Sequence, residues 1–229
     1  MDLSTIIGIL ACFILMIWGI GIDSIPNFLD KSSAIIVIGG TFMTLIASYP
    51  FVMIKRIPQH LKILTQGKRF DPVPCIETLV EFAEIARQGG LLALEERLTQ
   101  ITDPFCKYAI QSVIDFSDSD KLRAVLNERI ENLYQRHEYN IGFYEKGSSL
   151  SPAFGMVGTL IGLINMLKKL NLSESASSTL GESMSVALIT TFYGVVVANL
   201  FFGSVAKKLS LRNDEEYLYK QIRVVSESH

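Results

Sequence analysis

Charge is scarce in this chain of 229 residues: Asp, Glu, Lys and Arg together make up 19% of it, where a soluble domain carries about one quarter. Basic residues are missing altogether before Lys31. A secretory leader opens on positive charge, so the apolar N-terminus is not expected to be one. Ile9-Leu10-Ala11-Cys12 loosely resembles a lipoprotein cleavage box, but the apolar run continues to Ile22, and the stretch is expected to stay on the protein. Cysteine is limited to Cys12, Cys75 and Cys106. An odd number without paired spacing excludes a disulfide framework and reads as reduced structural thiols. His60, His137 and His229 have no metal-ligand spacing, and no glycine loop leads into Lys-Ser or Lys-Thr. Ser183 to Ser185 has no neighbouring base. Nothing supports an enzyme or a cofactor, and a net charge of −2 gives nucleic acid no reason to bind.

What is abundant is apolar sequence, 49% of the chain. It is gathered into four runs, each long enough to cross a hydrocarbon layer of ~30 Å as a helix. The expected spans are residues 3–22, 33–54, 151–168 and 183–206. The fold class is therefore all-α: four transmembrane helices and a helical cytoplasmic domain. Residues 1–54 form one hairpin, turned near Pro26, and 151–206 form a second.

Lys55 and Arg56 follow the second span, and Lys207 and Lys208 follow the fourth. The bias of positive charge towards the cytoplasm places 55–150 and the tail 207–229 inside, with both termini cytoplasmic. Lys168 and Lys169, at the outer end of span three, oppose this and are outvoted. The segment 55–146 holds 13 basic and 14 acidic residues, a balanced composition for a solvated domain. Pro72 and Pro74 open a helix that Gly89-Gly90 breaks. Asp103-Pro104 opens another. Asp118, Ser119 and Asp120 start a third, which runs into span three without a loop and predicts one long rod with a kink near Pro152.

In span three, Gly155, Thr159, Gly162 and Met166 share a face, and Gly158 with Gly162 makes a GxxxG pair. Span four carries a stripe of Ala187, Thr190, Thr191, Gly194 and Ala198. Small residues in membrane helices usually serve packing, and a threonine hydroxyl can bond the carbonyl one turn back. Two such stripes also suit a narrow polar path. No span interior contains Asp, Glu, Lys, Arg or His. Any carboxylate needed for ion transfer must then come from a partner.

The run Pro152 to Thr159 with Gly162-Leu163 resembles the third-span signature of MotA and PomA stator subunits. Leu188 to Gly194, with Ala198-Asn199 and Lys208-Leu209, is similar to their fourth-span signature. Ile38 to Thr41 resembles their second span, and Arg87 to Gly90 with Glu95 to Arg97 their charged rotor-facing segment. The resemblance covers nearly the whole chain. It implies a flagellar motor stator in the bacterial inner membrane, a member of the MotA/TolQ/ExbB proton channel family that turns proton or sodium flow into torque. Five copies would surround two copies of a MotB-like partner, each supplying the titratable Asp, and the cytoplasmic domain would push on the rotor protein FliG. Thr159, Thr190, Thr191, Pro152, Gly155 and Gly162 would line the ion path; Arg87 and Glu95 would engage the rotor. Ser151 stands in place of a common Ala, and Ser204 where the family usually has proline. Two alternatives stay open: an energiser of the ExbB/TolQ branch, for which three spans are expected, and a non-conducting membrane scaffold.

Overall fold

The computed structural model describes residues 4–65, 72–90, 104–115, 118–170 and 176–227, nearly all of them helical and none of them in a strand. The helices are α1 (Ser4–Ile20), α2 (Lys31–Ala34), α3 (Gly40–Ser48), α4 (Phe51–Ile54), α5 (Ile57–Thr65), α6 (Pro72–Gly89), α7 (Pro104–Asp115), α8 (Ser119–Leu170), α9 (Ala176–Val196) and α10 (Ser204–Glu227). The fold is all-α, with apolar helices of membrane-spanning length and a separate helical region. Among the described residues, three helical stretches are long and apolar enough to cross a membrane, within Lys31–Ser48, Asp120–Lys169 and Leu180–Ile222. A fourth crossing is made if α1 is joined to the short 3-10 helix Ile22–Phe28 after it, across a bend of 99°. Gly21 makes that bend at φ +84°, a backbone conformation that L side chains rarely adopt.

The second apolar run, expected as one helix over 33–54, is subdivided. Asp30 caps its start: the Ser33 N–H donates to Asp30 Oδ2 at 2.6 Å and the Ser33 hydroxyl at 2.5 Å. These bonds to the ionised form, the hydroxyl's first, hold the Asp30 carboxyl below its ordinary range against the opposing effect of burial. A π-helical segment, Ile35–Gly39, interrupts the α-helix, which then ends at Ser48. Pro50 supplies the reason: it lacks an N–H and forces Tyr49 into an extended conformation (φ −126°, ψ 145°).

By contrast, α8 runs as one helix of 52 residues with Pro152 inside it. Asp118 starts it, its Oδ1 accepting from the Asp120 N–H at 3.0 Å.

The chain divides into two compact units, residues 1–67 with 139–210, and 68–138 with 211–229. In the first, Leu45 and Met53 meet Ile141, Phe143 and Tyr144 of α8 and Phe202, Val205, Ala206 and Leu209 further on. Glycines set how closely these elements approach. A Cβ on Gly147 would lie 2.4 Å from the Phe202 ring, and one on Gly40 2.5 Å from the Phe154 ring. Lipid tails are as apolar as these side chains, so it is the closeness of fit and not exclusion from water that favours the contact within the membrane.

In the second unit, Phe105 and Ala109 of α7 pack on Leu122, Leu126 and Ile130 of α8 and Val224 of α10. Cys106 and Ile110, on the other side of α7, meet Phe82, Ile85 and Ala86 of α6. Polar ties fix the register of α8 against α10. Tyr134 Oη donates to Asp214 at 3.2 Å, and His137 Nδ1 lies 3.1 Å from Asn213 Oδ1. The expected helix break is present: α6 ends at Gly89, and Gly90 sits at φ +79° with its N–H on the Ala86 carbonyl.

Candidate functional site

The C-terminal part of α8, from Ser151 onward, packs on α9 through an almost side-chain-free seam. A Cβ added to Gly155 would meet the Thr190 carbonyl oxygen and the Thr191 Cα, each at 3.2 Å. One on Gly158 would strike the Thr190 side chain at 2.5 Å, and one on Gly162 the Ala187 Cβ at 2.7 Å. From α9, a Cβ on Gly194 would lie 2.8 Å from the Ser151 carbonyl oxygen and 3.2 Å from Pro152 Cα. The GxxxG pair of span three thus serves contact with span four of the same chain. Lys169 and Glu182 lie 3.7 Å apart beside the ends of the two helices, so one of the two outer lysines that opposed the charge bias has an acidic partner.

The three threonines divide between two settings. Thr190 is wholly buried in the seam, and its hydroxyl donates to the carbonyls of Val186 and Ala187 at 2.9 Å each. Thr191 is exposed and Thr159 half-buried. Their hydroxyl oxygens are 2.6 Å apart, and either can be the donor. Thr159 also reaches the carbonyls of Gly155 and Ala187 at 3.1 Å each, and Thr191 that of Ala187 at 3.4 Å. One main-chain oxygen is therefore shared by hydroxyls of Thr159, Thr190 and Thr191. Spacing brought the threonines to notice, but the Ala187 carbonyl that gathers them has no mark in the sequence.

Around this hydroxyl pair the exposed surface is largely apolar, with Asn165 on α8 and Ser185 on α9 the polar residues exposed nearby along the same helices. Met156, Leu160, Leu163, Ile164 and Leu167 are exposed on α8, and Met184, Leu188 and Val195 on α9. The pair is a polar spot, formed by two helices of one chain, on a face left exposed among the described residues. Pro152 is half-buried at the near end of the seam, and Gly155 and Gly162 are buried within it. Arg87 is exposed in the last turn of α6. Glu95 lies outside the described residues. Among the described residues no group of three or more His, Cys, Asp or Glu side chains could hold a metal.

Apolar helices of spanning length joined through a glycine seam, with hydroxyls paired on an open face and no Asp, Glu, Lys, Arg or His inside the spans, are those of a polytopic membrane subunit. Comparison with known proteins specifies the family. The family model for the MotA/TolQ/ExbB proton channel family matches residues 97–222. Motility protein A of Borreliella burgdorferi is 38% identical over 96% of this chain and 84% of its own length. The chemotaxis protein PomA of Vibrio alginolyticus is 34% identical over 97% and 86%. Among solved structures, C. jejuni MotAB superposes with a TM-score of 0.86 at 25% identity, covering 99% of this chain and 88% of that one. The chain belongs to the MotA/TolQ/ExbB proton channel family, closely related to the MotA and PomA stator proteins. It is a multi-pass inner-membrane protein of a family of channels, not of enzymes.

Proposed function

We infer that this chain is a flagellar motor stator subunit that forms an ion channel with a MotB-like partner. The observation that carries the reading is the Thr159–Thr191 hydroxyl pair, 2.6 Å apart, on the exposed face of two spans whose interiors hold no Asp, Glu, Lys, Arg or His. Such a surface can replace part of an ion's hydration, but it cannot take up and release a proton at neutral pH. The carboxylate has to be delivered from outside the chain, and a MotB-like helix with a membrane-embedded Asp supplies it. The likeness to the C. jejuni MotAB assembly supports this pairing.

The finer reading is ours. Five copies surround the partner's helices, each presenting its hydroxyl pair to the Asp in turn. Thr159 and Thr191 line the path, while Thr190, Gly155 and Gly162 form the seam behind it. Pro152, at the near end of that seam, lets the long helix change its bend as an ion passes. Residues 55–150 and both termini are cytoplasmic, and Arg87 with Glu95 meets the rotor protein FliG. Charges of that kind orient docking more than they add affinity.

The test is motility of a stator-deleted bacterium supplied with this chain and its partner, in sodium-free and sodium-rich media. Restored swimming is expected. Sodium dependence would assign the coupling ion as sodium, and its lack would assign protons. A complex that assembles with its partner and neither swims nor passes ions would overturn the reading in favour of a scaffold.

A further inference from the structure

The exposed row of α9 and the π-helical segment after it can be followed residue by residue. Met184, Leu188, Thr191, Val195 and Asn199 succeed one another at steps of three or four and are all exposed. From Leu188 onward, only Thr191 and Asn199 in that row are polar. Asn199 stands eight residues beyond Thr191, roughly 12 Å along a helix, still within the apolar stretch that ends before Lys207. A side-chain amide facing hydrocarbon at that depth is costly and is found where it meets a partner or a water-filled cavity.

The surroundings hold this amide in a fixed attitude. Its Nδ2 donates to the Val195 carbonyl at 2.9 Å, so the amide offers its carbonyl oxygen Oδ1 as an acceptor. Asn199 belongs to the π-helical segment Val197–Gly203, and two hydroxyls brace the chain there. Ser204 Oγ donates to the Asn199 main-chain oxygen at 3.0 Å, and Ser148 Oγ to the Ala198 main-chain oxygen at 3.1 Å. These bonds satisfy carbonyls that the wider helical turn leaves poorly served. Ser204 thereby acquires a structural task at the position where relatives are expected to carry proline. Phe202, fully buried on Gly147, anchors the same segment from its inner side.

We propose that Asn199 is a second polar station of the ion path, on the cytoplasmic side of Thr159 and Thr191. Its amide oxygen receives the ion, or the water that carries it, after release from the hydroxyl pair. This rests on the channel reading above and adds to it a residue that fixes where the ion goes next. An amide oxygen binds a cation or a water proton without titrating. It therefore lets the ion leave, which a carboxylate at the same place would not.

The complex of this chain with its MotB-like partner is reconstituted in liposomes holding a pH- or sodium-sensitive dye, and motility is scored in parallel. Asn199→Leu, close in size and apolar, is expected to give normal complex yield with ion flux lowered about tenfold, the effect of one lost hydrogen bond at a barrier. Asn199→Asp, isosteric with the native residue, is expected to conduct slowly at neutral internal pH. It should recover as the internal pH is lowered and the carboxylate is neutralised. A packing role would give neither result: Leu would lower yield, and Asp would show the wild-type pH profile. Wild-type flux in Asn199→Leu, or an unchanged pH profile in Asn199→Asp, overturns the proposal. If Asn199→Leu does not assemble, the Asp profile decides alone. A wild-type complex that passes no ions overturns the channel reading itself, which the variants cannot do.

Discussion

Gly194 lies against the backbone of the turn that contains Pro152: a Cβ there would stand 2.8 Å from the Ser151 carbonyl oxygen and 3.2 Å from Pro152 Cα. The obstructing atoms are main chain and cannot rotate aside. Gly194→Ala is therefore expected to push the two helices apart and cost about 1–3 kcal/mol. Gly8→Ala, with nothing within 4 Å, should be silent. Melting temperature and yield of the detergent-extracted complex measure both.

Pro152 cannot donate to the Ser148 carbonyl one turn back. Pro152→Leu restores that donor, and helix propensity alone favours the exchange by up to ~3 kcal/mol. The variant should assemble and fail to generate torque, if bending of α8 is part of the cycle. A variant that assembles and swims would remove Pro152 from the mechanism.

The threonines can be separated by one substitution. Thr191→Val removes half of the exposed hydroxyl pair and should abolish motility while the complex still forms. Thr190→Val loses a buried hydroxyl bonded within its own helix, should cost about 1 kcal/mol of stability, and should leave ion flux near wild type. Equal flux in the two variants would contradict the division of settings.

The Asp30 cap predicts a pH dependence. Its carboxyl is held below the ordinary range chiefly by the Ser33 hydroxyl. The stabilisation is thus complete above the ordinary value and is lost as pH falls through the lower, folded-state value. Asp30→Ala should cost about 1 kcal/mol at neutral pH, and the gap from wild type should close in acid. Melting curves across pH check the sign.

Reversal of Arg87, exposed at the end of α6, should reduce torque without changing membrane assembly, and a reversed charge on the rotor should restore part of it. Normal swimming under load would make Arg87 ordinary solvated surface.

The long helix was legible because its signals are local: Asp118 to start it, and no breaker except one proline that an apolar partner tolerates. The end of the second helix was marked as plainly by Pro50, but an uninterrupted run of apolar residues masked the mark. Both π-helical segments escaped a reading of periodicity. Ile35–Gly39 and Val197–Gly203 have no local signature, and the contacts that brace the latter, from Ser148 and onto Gly147, come from residues some fifty positions away. For the same reason a stripe of Thr190 and Thr191 reads as one face, although the seam with Gly155 and Gly158 buries the first and leaves the second open.

The Ala187 carbonyl has two lone pairs and three hydroxyls within reach, those of Thr190, Thr159 and Thr191. All three cannot be served at once. The arrangement is over-subscribed, and the Thr159–Thr191 contact works in either direction, so it reverses when the two hydroxyls rotate, each keeping its own hydrogen. Such a surface has no permanent polarity. It can present a lone pair to an approaching cation and a hydrogen to a departing water, and return to its starting state without moving a helix.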